Sequence, residues 1–147
     1  MKLSTKARYA LRSMIELALR EGAGPQLLRD VAQAQRLSPK YLEQLTIPLR
    51  HAGLLRTERG PKGGCELARP ATRITALDVV TAVEGPLHLL ECVGDRNACD
   101  RTATCAARQL WMRAGEAISE VLAGTTLADL RESQRATGSA GAFCYEI

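Results

Sequence analysis

The spacing of apolar residues changes period once along this chain, and that change limits the fold more than any other feature. As far as Leu49 the apolar residues recur at three- and four-residue intervals, as in helices buried along one face. Then "AGLLRTERGPKGGCELA", residues 52–68, breaks into two short runs around "RGPKGG", the mark of a β-hairpin. Three helices followed by a hairpin leave room for one small core.

Each helix has its own signals. Ser4 or Thr5 caps the first, whose apolar stripe is Ala7, Ala10, Leu11, Met14, Leu17 and Ala18, and Gly22 with Gly24 ends it. "LLRDVAQAQ" forms the second, with Leu28, Val31 and Ala32 on one face. Ser38 caps the third and Pro39 takes its first position, with Leu42, Leu45 and Leu49 facing inward. Pro48 removes the bond to the Gln44 carbonyl and is expected to kink that helix or end it near Thr46.

After the hairpin, Thr75 and Asp78 make a capping-box pair for a fourth helix that stops at Gly85-Pro86. A long helix from about Cys105 to Ala123 carries Leu110, Ala114, Ala117, Ile118, Val121 and Leu122, and "TTLADLRES" forms a last short one. "QRATGSAGAFCYEI" lacks a pattern and is expected to be a flexible tail, disordered or dependent on a partner. The expected organisation is mainly α: a winged helix-turn-helix over residues 1–84, a cysteine-bearing loop over 85–104, two further helices over 105–132, and the tail over 133–147.

Composition agrees, since 46% of residues are apolar but only 3% aromatic, and Leu, Ala and Val favour helices. Charges break the N-terminal apolar stretch and no run is long enough to span a bilayer, which implies no membrane segment and a cytoplasmic protein. Five cysteines in a reducing compartment suggest metal binding or reactive thiols before disulfides. Two histidines and no visible nucleophile set argue against an enzyme.

Charge divides the chain. Residues 1–75 hold fourteen Lys and Arg against six Asp and Glu, whereas the remainder holds six against ten. A basic first half suits a polyanion such as nucleic acid, the alternative being a solvated basic surface. In a winged helix-turn-helix the third helix enters the major groove of double-stranded DNA and the hairpin reaches the backbone or minor groove. Ser38, Lys40, Tyr41, Glu43 and Gln44 lie at the start and outer face of that helix, Gln44 being suited to adenine. In the wing, Arg56, Arg59 and Lys62 surround Gly60, Gly63 and Gly64, which offer little bulk against phosphate. Cys65 is expected to pack within the hairpin, its alternative being an oxidisable thiol.

Together "STKARYALRSMIELAL", "SPKYLEQL", "LRHAGLL", "RGPKGGCELA", "ITALDVVTAVEG", the spaced cysteines and "TLADL" resemble the Rrf-two superfamily of bacterial regulators, within it the IscR and NsrR type. The resemblance covers about residues 1–132. It implies a homodimer joined by the helix near residues 105–123, a palindromic operator, and an iron–sulfur cluster on Cys92, Cys99 and Cys105. It also implies that Glu43 filters operators, since a carboxylate is repelled by phosphate and accepts only from cytosine N4, the alternative being a solvated helix carboxylate with no role.

Thiolates are the usual ligands of such clusters, and the spacing C-x6-C-x5-C lacks the paired knuckles of structural zinc, which makes zinc the runner-up. The fourth ligand stays open. The histidine that IscR-like proteins place three residues after the third cysteine is Arg108 here, and Arg8 stands where NsrR-like proteins have an acid. Remaining candidates are His88, Glu91, Asp95, Asp100, Cys65, Cys144 or a small molecule, with a 2Fe-2S or 4Fe-4S centre. The function expected is a transcription regulator whose cluster senses iron–sulfur status, oxidants or nitric oxide. Its rivals are a cluster-free regulator controlled by a protein or small ligand, and an iron–sulfur carrier.

Overall fold

The computed structural model describes residues 3–60 and 64–142, and side chains as far as Gly138. Three helices come first: α1 (Thr5–Leu19), α2 (Leu28–Gln35) and α3 (Pro39–His51). Ser4 caps α1 by accepting from the Lys6 and Ala7 N–H groups, and its hydroxyl donates to Glu84. Arg36 ends α2 in the left-handed conformation, so the chain turns sharply into α3, whose cap is Ser38.

Strands β1 (Leu55–Thr57) and β2 (Cys65–Leu67) pair antiparallel, Arg56 opposite Glu66. A third strand-like contact was not legible in the sequence: Gln26 exchanges both backbone hydrogen bonds with Cys65, at 2.9 and 2.8 Å. That contact welds the wing to the α1–α2 connection. Cys65 is buried against the core, as expected, and burial pushes its thiol up to about 11.

Helix α4 (Ala76–Glu84) begins at Thr75, whose side chain and backbone complete a capping box with Asp78. The same device recurs at α7 (Leu127–Ala142), where Thr126 and Asp129 exchange bonds of 2.8 and 3.1 Å. The two start sites pair with each other, Ala76 N–H to the Thr125 carbonyl and Leu127 N–H to that of Ile74. They seat Leu127 in the core beside Met14, Leu42, Leu49, Ile74 and Val79, all of them buried.

Two expectations are corrected. Of the two outcomes expected of Pro48, the early end is overturned: α3 runs through Pro48 to His51 instead of ending near Thr46, because Leu45 and Leu49 on either side are buried and their burial outweighs one lost backbone bond. The last helix continues to Ala142, well past Ser133, so residues 134–142 are helical and not an unstructured tail. Arg131 ties it to Glu21, just past the end of α1, at 2.7 Å and donates to the α1 carbonyl of Ala18 at 3.4 Å. Residues 143–147 lie outside the described residues. No helix among the described residues is long and apolar enough to cross a membrane.

Between α4 and α7 lie a short helix α5 (Glu91–Gly94), a 3-10 turn at Arg96–Ala98 and the long α6 (Ala106–Ala123). One side of α6 rests on α4 and Leu89, and no residue of it is buried. Leu110, Trp111 and Val121 are 57%, 41% and 69% exposed. Leu110, Trp111, Ala117 and Val121 therefore face outward in the isolated chain, while Ala114, Ile118 and Leu122 are half-buried.

Candidate nucleic-acid interface

The outer face of α3 carries Lys40, Glu43, Gln44, Ile47 and Arg50, all exposed. It forms one wall of a groove of about 780 Å³, closed by the start of α2 with Arg29 and by the wing with Thr57, Arg59 and Gly60. Arg50 donates to Thr57 Oγ1 at 3.2 Å and so links the helix to the wing. Cations Arg29, Lys40, Arg50 and Arg59 outnumber the carboxylates Glu43 and Glu58 on this surface. Such a groove suits a phosphate backbone with base edges between its strands.

Ser38 and Tyr41 stand at the start of α3, outside the residues that line this groove. The Ser38 hydroxyl accepts from the Tyr41 N–H, and the half-buried Tyr41 ring meets Tyr9 edge-on at 6.2 Å. Arg8 and Arg12 lie over Tyr9 at 4.8 and 5.7 Å. Thus Tyr41 is fixed by α1, and two further cations extend the basic face beyond α3.

The structure moves Arg56 off this surface. Strand alternation turns it opposite to Thr57, where its Nε bonds Glu66 at 2.7 Å in a separate cleft with Arg20 and Arg69. Gly64 also has a different reason from the one expected: a Cβ there would stand 2.3 Å from the Gln26 carbonyl oxygen, so glycine is required by the weld behind the wing. Lys62 and Gly63 lie outside the described residues. Arg29, Arg50 and Ile47 were missed by sequence reasoning. Ile47 and Arg50 follow Glu43 at helical spacing and were legible, whereas Arg29 needs the packing of α2 on α3.

The thiol loop is a separate site. Cys92 sits in α5 and is half-buried, Cys99 is exposed, and Cys105 is the half-buried N-cap of α6. All three are free thiols, chemically suited to iron or another soft metal. Among the described residues, however, no three His, Cys, Asp or Glu side chains are gathered to hold a metal. Arg108 donates to the Cys92 carbonyl at 2.7 Å and stays cationic, so it is no ligand. His88 is exposed with its ring against Gly94, inside the loop's own span. Cys65 is sequestered in the winged core, and Cys144 lies outside the described residues.

The family model for Rrf2, described as an iron-dependent transcriptional regulator, matches residues 3–133. The transcriptional regulator CymR of Bacillus subtilis is 46% identical over 130 residues, covering 88% of this chain and 89% of that protein. IscR of Erwinia tasmaniensis is 38% identical over 134 residues, 91% of this chain and 81% of that one. Among solved structures, that of CymR, described as the global cysteine regulator of B. subtilis, has a TM-score of 0.74 at 43% identity over 90% of this chain and 98% of that one. The structure of T. potens IscR has the same TM-score at 35% identity over 91% and 88%. These relatives are named as regulators and not enzymes, and with a basic groove between α3 and the wing, this chain belongs to the Rrf2 family of DNA-binding transcription regulators.

Proposed function

We propose that the chain acts in the cytoplasm as a homodimer on a palindromic operator, and that Cys92, Cys99 and Cys105 hold an iron–sulfur cluster whose state adjusts DNA binding. The observation that carries this reading is the placement of three free thiols on one accessible loop, the last of them at the N-cap position of α6. Leu110, Trp111 and Val121 on the open side of α6 are the surface for a second copy, because a helix packed on one side only and carrying large exposed apolar residues gains from being covered. Two α3 helices related by a two-fold axis then meet two half-sites.

When bound, the cluster would supply sensitivity to iron supply, oxidants or nitric oxide. The protein's part is to gather the thiols, which do not stand together in the isolated chain, so loading must order the loop. A second reading, a cluster-free regulator answering to a protein or small ligand, is favoured by that lack of convergence and by the likeness to a cysteine regulator. A carrier without operator preference fits neither the basic groove nor the relatives.

Visible absorption of protein purified without oxygen, with iron and sulfide assays, separates the readings. Colour that is lost in each of Cys92→Ala, Cys99→Ala and Cys105→Ala, yet kept in Cys144→Ala, supports the cluster. A colourless protein that still selects a DNA sequence leaves the second reading standing.

A further inference from the structure

Helix α5 is one turn long and ends at Gly94, which leaves the Cys92 carbonyl without a partner in its own helix. Arg108 supplies one. Its Nε donates to that oxygen at 2.7 Å, while its Nη1 donates to Met112 Sδ at 3.2 Å. Arg108 is the third residue of α6, where free N–H groups make the helix end positive and disfavour a cation. No acidic residue stands in that first turn to offset it. The cation at this position breaks a local rule, and what it gains is a hold on the backbone of a thiol-bearing residue.

The next thiols along make that hold consequential. Cys105 stands at the N-cap position of α6, so two of the three thiol-bearing residues adjoin the first turn of that helix, Cys105 through the chain itself and Cys92 through its carbonyl bond to Arg108. We propose that Arg108 is a positioning residue that transmits chemistry at Cys92 to α6. Ligation or modification at the Cys92 sulfur displaces the residue, breaks the bond to Arg108, and releases a guanidinium at the base of α6. The inference rests on the loop being a sensor but not on which metal or reagent the thiols meet.

The test uses full-length protein with Cys99, Cys105 and Cys144 changed to serine, so that Cys92 is the accessible thiol and Cys65 stays buried. N-ethylmaleimide adds across its double bond to the Cys92 sulfur, the thiol proton ending on carbon. Peptide mass spectrometry reads the rate of this addition and the hydrogen exchange of residues 106–113 before and after it. With Arg108 present, addition is slow and raises exchange in the first turns of α6. In Arg108→Met, which keeps an unbranched apolar stem without a donor, Cys92 reacts several-fold faster and exchange no longer responds. Arg108→Lys, which restores a donor, recovers part of both effects, and circular dichroism melts confirm folding of each variant.

Equal reaction rates in the parent and Arg108→Met would overturn the proposal, as would an exchange response that persists in Arg108→Met. A protein that binds no iron yet shows the predicted pattern keeps this inference and removes the cluster reading. A coloured protein without the pattern does the reverse.

Discussion

Replacing Gly64 with alanine tests whether the wing is positioned from behind by the α1–α2 connection. The added methyl would stand 2.3 Å from the Gln26 oxygen and 2.6 Å from its carbonyl carbon, well inside the ~3.5 Å at which carbon contacts become favourable. Both neighbours are backbone, so the two segments must part by about an ångström, and the paired bonds between Gln26 and Cys65 open. Two net backbone bonds are together worth ~2 kcal/mol. With a urea slope of ~2 kcal/mol/M, the unfolding midpoint should fall by ~1 M. Amide exchange should show loss of protection at Gln26 and Cys65 while Met14 and Val79 keep theirs. DNA affinity should fall as well, because Arg59 and Gly60 move relative to α3. An unchanged midpoint with Gln26 and Cys65 still protected would refute the reasoning.

Other outcomes follow from single residues. Ser13 is 3% exposed and its hydroxyl has no partner among the described residues, so Ser13→Ala should stabilise the protein by ~1 to 2 kcal/mol, read as a higher melting temperature. Hydrogen bonds from the Thr126 hydroxyl and backbone hold the Asp129 carboxyl below its usual range. Its stabilising effect is therefore present above the unfolded-state value of ~3.9 and is lost as pH falls through the lower folded value, so Asp129→Asn should flatten the acid side of the stability profile. Arg29→Ala, Arg50→Ala and Arg59→Ala should each reduce the salt slope of DNA binding by ~0.9, and Arg56→Ala should leave it unchanged because that side chain faces the other cleft.

What was legible in the sequence was local. Ser38 with Pro39, and Thr75 with Asp78, announce helix starts because caps satisfy backbone groups within one turn, and both stand where expected. Pro48 misled because a local breaking rule competes with burial of Leu45 and Leu49, which depends on what α3 meets. The helix over residues 134–142 was missed because its small residues show no stripe. Its anchors, Leu127 and the Arg131 bond to Glu21, come from the first two turns and from another helix. In the wing, residue type suggested Arg56 and Gly64 for DNA, but strand alternation and the backbone of Gln26 assign them elsewhere. For the thiol loop, spacing gave the chemistry of the donors. Their separation, and the hold of Arg108 on Cys92, depend on how α5 sits against α6.

The most direct measurement of the central claim is selection from a random DNA pool by protein kept without oxygen, at one fixed salt concentration, followed by hydroxyl-radical footprinting of the winning sequence. If α3 and the wing of two subunits read DNA together, the selected sequence has two inverted half-sites, protected on one face and separated by whole helical turns. Gln44→Ala should then lose ~1 to 3 kcal/mol at particular base pairs while retaining the same footprint. Selection of no common sequence, or of a single unpaired site whose base preferences survive Gln44→Ala, would contradict the account.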